Sequence, residues 1–187
     1  MRTPRILLVG MMGAGKTTTG QLVARRLGWD YEDSDADVEA TTGLTVPELF
    51  ARHGEAAFRK AETQVLATSC AQEKSSVVSV AGGAVLSAEN RQLIRASGTV
   101  VWLRARPEKL AARVGDGVGR PLLGDDPGAA MVRLAAERAP YYAEVADAVI
   151  DVDELSPDEV ADRVIAAAHL DQGSSSASSS NSTAPSA

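Results

Sequence analysis

Cysteine occurs once in 187 residues, at Cys70, so no intramolecular disulfide framework supports the fold, and a reducing compartment is expected. Long apolar runs are missing too. The stretch behind the basic N-terminus, Ile6 to Val9, spans four residues and ends in glycines, against about 7–15 for a secretory signal and about 20 for a membrane helix. A soluble, cytoplasmic chain with no membrane partner is the expectation. Basic excess is likewise absent: 19 Lys and Arg stand against 25 Asp and Glu, a net charge of −6. That balance argues against a nucleic-acid partner, because neutralising a phosphate backbone needs a basic face. No internal repeat is visible. What is present is a chain with 44% hydrophobic residues, long enough to bury roughly 70% of its unfolded surface as one domain.

From Asp171 the composition turns to Ser, Ala, Gly, Asn, Thr and Pro, which cannot bury enough apolar surface to offset ordering entropy. The expected division is therefore a domain over 1–170 and a disordered tail over 171–187. Within the domain, short β-branched runs alternate with longer Ala/Leu/Arg stretches. Strands are expected at Arg5 to Val9, Trp29 to Glu32, Val77 to Val80, Val100 to Leu103 and Ala148 to Val152. Most are apolar throughout, as in parallel strands covered on both faces. Helices are expected over Lys16 to Leu27, Val46 to His53 with a stop at Gly54, Glu55 to Cys70, Ala88 to Ala96, from Pro107, over Gly128 to Tyr142, and from Pro157 to about His169. Ser156 and Glu159 form the start signal of the last one. This alternation implies an α/β fold with a parallel sheet.

The first strand runs into Gly10-Met11-Met12-Gly13-Ala14-Gly15-Lys16-Thr17, the spacing of a phosphate-binding P-loop. Glycines let successive backbone N–H groups and a helix N-terminus surround phosphates; Lys16 reaches the β and γ phosphates, and the Thr17 hydroxyl ligates Mg²⁺. A bare glycine turn would not need the apolar strand before it and the helix after it. No Asn-Lys-x-Asp guanine-reading segment occurs, and the chain is short for an oligomeric ATPase, which leaves a small-molecule kinase in front.

Five further features point to an acceptor side. Asp33-Ser34-Asp35 follows the second strand, at the carboxyl end that faces the ligand crevice in α/β sheets; read as extended chain, residues i and i+2 aim both carboxylates one way. Arg59 and Glu62, three apart on a helix, share a face, so Arg59 holds either Glu62 or an anionic substrate. Ala81-Gly82-Gly83 follows the third strand, where glycines admit a ligand close to the backbone. Gly115 to Gly124 is a glycine-rich stretch with Arg120, suited to a lid that excludes water and adds positive charge, and Arg138 follows near a helix end. Taken singly, each also reads as an acidic turn, a surface ion pair, a plain turn, a loop or a solvated face.

Taken in order, P-loop, Asp-x-Asp, Phe58-Arg59-x-x-Glu62, glycine pair, Arg120-Pro121-Leu122 and Arg138-x-x-Tyr141, these motifs closely resemble shikimate kinase over about Arg5 to Ala168. The resemblance implies a P-loop kinase architecture of the nucleoside-monophosphate-kinase type: a five-stranded parallel sheet flanked by helices, with a lid at about 115–124 and a substrate-binding helical region at about 34–62. It implies that ATP phosphorylates the 3-hydroxyl of shikimate, in aromatic amino-acid biosynthesis, and that Mg²⁺ is the cofactor. Position by position, it makes Lys16, Asp33, Asp35 and Arg120 catalytic. Gly13, Ala14, Gly15, Lys16, Thr17, Thr18, Arg113 and Arg120 would bind nucleotide, with Arg113 stacking on adenine. Asp35, Arg59, Gly82, Gly83 and Arg138 would bind shikimate, Asp35 also as possible base; Thr17 and Asp33 would hold the metal. Phe50 and Phe58 resemble aromatics that wall the pocket, although core packing suits them equally. Partners would be ATP and shikimate, with the chain a monomer. Two departures stand out: Ala81 replaces the first of three glycines, and Asp151 to Pro157 has no arginine where some members contact nucleotide. A gluconate-type sugar-acid kinase and a non-catalytic nucleotide-binding module are the competing readings.

Overall fold

The structure, a computed structural model, describes residues 3–115, 123 and 126–176, with side chains as far as Ala168. The five expected strands form one sheet: β1 (Arg5–Val9), β2 (Asp30–Asp33), β3 (Ser76–Ser79), β4 (Thr99–Arg104) and β5 (Ala148–Asp151). Their order is β2-β3-β1-β4-β5, and every pairing is parallel. β1 at the centre is buried along its whole length, which is why it reads as an uninterrupted apolar run after Arg5. Arg5 itself is satisfied by Ser76 Oγ and by the carbonyls of Cys70 and Gln72, at 3.1, 2.8 and 2.7 Å. β2, at the sheet's edge, is only partly covered and reads Asp-Tyr-Glu-Asp.

Around the sheet lie α1 (Lys16–Leu27), α2 (Ser34–Thr42), α3 (Val46–Ala71), α4 (Ala88–Ser97), α5 (Pro107–Val114), α6 (Pro127–Val145) and α7 (Pro157–Ser176). α1 matches its expected bounds and stops at Gly28, whose left-handed backbone lets its N–H bond to the Ala24 carbonyl. The two helices expected on either side of Gly54 are one element with a break: Gly54 has φ 78 and ψ 173, outside the helical region. Thr45 and Glu48 close a capping box at its start. Ser156 and Glu159 do the same for α7. α7 continues to Ser176, past Asp171, through Asp-Gln-Gly-Ser-Ser-Ser, which carries no proline to stop it; the rest of the tail and, of the lid, residues 116–122 and 124, Arg120 among them, lie outside the described residues.

One expectation is corrected. Asp33-Ser34-Asp35 is not extended: Asp33 ends β2 as the N-cap of α2, its Oδ1 accepting the Asp35 N–H at 3.2 Å. A short aspartate side chain bonds the backbone two residues on more readily than it continues a strand, and here that nucleates a helix whose sequence has a single buried apolar residue, Val38.

The main core joins β1, β3 and β4 to α1, α4, α6 and α7, and a second cluster of Val38, Leu49, Phe58 and Val65 holds α2 against α3 beside the sheet. The chain leaves β1 toward the β2 edge and leaves β3 for β4 on the opposite side of β1. Such a reversal opens a crevice at the carboxyl ends of the strands. α2 and α3 form one wall of it.

Candidate active site

The crevice holds a cavity of about 550 Å³ lined by the P-loop, Asp33, Asp35, Ser79 to Gly83, and, from α3 and α6, Phe50, Phe58, Arg59, Glu62 and Arg138. In the P-loop, Gly13 and Gly15 have φ of 81 and 90, conformations that glycine adopts without strain. Gly15 is the N-cap of α1 and supplies no side-chain cap, and the first turn of α1 has no acidic residue. The N–H groups and positive dipole end of α1 are thus left facing the cleft, as anion binding requires. Lys16 Nζ donates to the carbonyls of Gly10 and Met11, at 2.8 and 3.1 Å, which holds its ammonium over its own loop.

Thr17 Oγ1 donates to Asp33 Oδ2 at 3.0 Å, so α1 and the end of β2 are tied at the cleft. These are hard oxygen groups of the kind that hold Mg²⁺ with waters and phosphates, and among the described residues no cluster of three His, Cys, Asp or Glu offers an all-protein cage instead. The residues fit that ion. Tyr31 belongs to no sequence motif, yet its phenol donates to the same Asp33 Oδ2 at 2.9 Å and stands 3.0 Å from Ser79 Oγ. Burial pushes the phenol up to about 12, so it stays a donor at neutral pH. The only sequence signal for it was its place two residues before Asp33 on a strand, which puts both on one face.

On the acceptor side, Glu62 is 2% exposed and Arg59 Nη1 donates to both its oxygens, at 3.2 and 3.0 Å. The pair seen at i and i+3 is therefore an inward-facing ion pair, with the exposed Glu55 holding the other side of the guanidinium at 3.1 Å. Burial raises the Glu62 carboxyl to about 7, against the pull of Arg59. Gly83 is the seat for Arg59. A methyl there would stand 2.8 Å from Nη2 and nearer still to Nη1. Gly82 is pressed similarly: a methyl would meet the Gly10 carbonyl at 3.2 Å and Arg138 Nη1 at 3.5 Å.

Arg138 is 2% exposed, although its position near a helix end suggested a solvated face. Its Nε, buried in the cleft wall, has no hydrogen-bond partner among the described residues. Beside it, Tyr142 donates to the Gly82 carbonyl at 2.6 Å, and burial holds that phenol far above its ordinary range. Ala81 causes no distortion, since no described residue other than glycine has positive φ, and its N–H donates to Ser34 Oγ at 2.7 Å, locking α2 to the end of β3. Phe50 and Phe58 pack with ring centroids 4.8 Å apart, and both core packing and cleft lining fall to Phe58. Arg113, at the end of α5, donates to the Gly13 carbonyl at 3.2 Å. Ala14 and Thr18 lie on the P-loop and on the first turn of α1.

Comparison with known proteins agrees with this arrangement. Residues 12–169 match the family described as shikimate kinase. The shikimate kinase of Symbiobacterium thermophilum is 46% identical over 158 residues, 83% of this chain and 90% of its own length; that of Methylococcus capsulatus is 42% identical over 167 residues, 88% of this chain and 93% of its own. The solved shikimate kinase of Acinetobacter baumannii, in complex with shikimate, superimposes with a TM-score of 0.85 at 35% identity, covering 92% of this chain and 94% of that one. With the order of motifs, the sheet topology and near full-length similarity in agreement, the chain belongs to the shikimate kinase family.

Proposed function

We propose that the protein transfers the γ-phosphoryl group of ATP to the 3-hydroxyl of shikimate, giving shikimate 3-phosphate and ADP, as a cytoplasmic monomer that serves aromatic amino-acid biosynthesis. The observation that carries the reading is that Arg59, Arg138 and Asp35 share one cleft with the P-loop. Shikimate has one carboxylate and three hydroxyls. Two guanidinium groups match the carboxylate, with the unpartnered Arg138 Nε among the donors, and Asp35 matches the hydroxyls. Arg59 and Arg138 grip the carboxylate, Gly82 and Gly83 allow the ring close to the backbone, and Phe50 and Phe58 wall it.

Phosphoryl transfer asks for positioning and charge stabilisation more than for covalent chemistry. The N–H groups of Gly13, Ala14, Gly15, Lys16, Thr17 and Thr18 surround the phosphates, and the Lys16 ammonium swings from the loop carbonyls to the charge growing on the transferred group. Asp35 orients the attacking hydroxyl and takes its proton as the bond to phosphorus forms. Thr17 and Asp33 would hold Mg²⁺, which would supply charge neutralisation for the transferring group. Arg120 closes over the phosphates and Arg113 supports the adenine.

Coupled ADP release with MgATP tests this. Turnover that requires shikimate, with none on gluconate, is expected; folded, ATP-binding protein that leaves shikimate untouched would refute it.

A further inference from the structure

Tyr31 stands outside every role so far assigned. It lies on β2 two residues before Asp33, in register with the strand that carries Ser79, since Asp33 pairs with Ser79 and Tyr31 with Val77. Its ring lies against Gly20 of α1 so closely that a methyl on that glycine would stand 2.5 Å from Tyr31 Cε2 and 3.2 Å from Ser79 Oγ. α1 also carries Lys16 and Thr17. The ring is thus the spacer between the helix that brings Thr17 and the strand that brings Asp33. At its tip, the phenol reaches Asp33 Oδ2 and Ser79 Oγ at 2.9 and 3.0 Å. One phenolic proton serves one acceptor, and the carboxylate is the stronger; the serine hydroxyl then donates to the phenol oxygen. With Oδ1 held by the Asp35 N–H and Oδ2 by Thr17 and Tyr31, neither oxygen of Asp33 is free to turn.

We propose that Tyr31 is a positioning residue for the metal side of the site, its hydroxyl fixing Asp33 and Ser79 in the orientation that receives the divalent cation bound to nucleotide. The proposal rests on the kinase reading, because it takes Asp33 and Thr17 as the metal-holding groups. Outer-shell partners of this sort change metal affinity by roughly 10- to 100-fold when removed.

The decisive variant is Tyr31→Phe, which keeps the ring against Gly20 and deletes only the hydroxyl. Binding of Mn²⁺ to the enzyme in the presence of ADP, followed by the electron paramagnetic resonance signal of free Mn²⁺, should weaken about tenfold. Shikimate affinity, measured by calorimetry, should stay within twofold, and raising Mg²⁺ should recover most of the lost turnover. Unchanged Mn²⁺ affinity in the variant, whether or not its melting temperature falls, overturns the positioning role while leaving the kinase reading intact. Wild-type enzyme that binds no Mn²⁺ with ADP overturns both.

Discussion

Replacing Glu62 with glutamine removes a charge from inside the acceptor wall while keeping its shape, and the consequence for stability has a definite sign. The folded carboxyl, pushed up by burial, holds its proton to about pH 7, whereas an unburied glutamate releases it near 4.5. Between those values the folded state binds more protons than the unfolded state, so stability falls as pH rises through that window. At 1.36 kcal/mol per pH unit, the displacement amounts to about 3 kcal/mol, absent below about pH 4.5 and fully expressed above about pH 7. The groups that set this value are Arg59, which opposes it, Asp35, which adds to it, and Arg138, which opposes it. Glutamine has no proton to lose, so the wild type should lose about 3 kcal/mol relative to Glu62→Gln as pH climbs from about 4.5 to about 7, and the difference should then level off. Urea unfolding followed by tryptophan fluorescence at half-unit pH steps measures it, and subtraction of the two proteins cancels the other titrating groups. A difference flat to within about 0.5 kcal/mol, or one that moves the other way, would refute the reading of Glu62 as a carboxylate kept in the wall at a cost to stability.

Three further outcomes are expected. Gly83→Ala should raise the shikimate KM about tenfold with the ATP KM unchanged, because Gly83 has φ −92 and ψ −11, a backbone open to alanine, and the three atoms nearest the added methyl all belong to the Arg59 guanidinium; steady-state kinetics with each substrate varied decide it. Arg138→Ala should weaken shikimate binding roughly 10- to 100-fold, the loss expected for charge-assisted hydrogen bonds of about 1.5–3 kcal/mol, and calorimetry that finds shikimate affinity unchanged would remove Arg138 from the clamp. Ala81→Gly should leave kcat and both KM values within twofold and cost about 1 kcal/mol or less in urea unfolding, since the alanine already sits in an ordinary backbone conformation.

What could be read from the sequence follows from how locally each feature is encoded. The P-loop is contiguous: strand, glycines, Lys16 and helix start within a few residues, so its place and its chemistry come together. α1 and the strands other than β2, which reads Asp-Tyr-Glu-Asp, are similarly marked, by a glycine stop and by apolar runs. Asp33 and Asp35 do line one cleft, but through a helix cap rather than an extended strand, because α2 has too few apolar residues to show a period and exists by virtue of its N-cap and its packing on α3. Depth is the second thing a single sequence conceals. Arg138 and Glu62 look like surface charges from spacing alone; they are buried because the sheet topology brings α3 and α6 to the same crevice, and no local signal records that. The third is the network of neutral polar groups. Ser34, Ser79, Tyr31 and Tyr142 carry no chemical signature of their own, and each makes a contact across 47 or more residues of sequence, as Ser34 does with Ala81, Tyr31 with Ser79 and Tyr142 with Gly82. The charged residues that a substrate would touch thus announce themselves in the chain, whereas the groups that hold those residues still become visible only when the sheet has placed them. If that division is sound, changes to such groups should shift metal or substrate affinity without abolishing the fold, which is the pattern that separates Tyr31→Phe from a merely destabilising substitution.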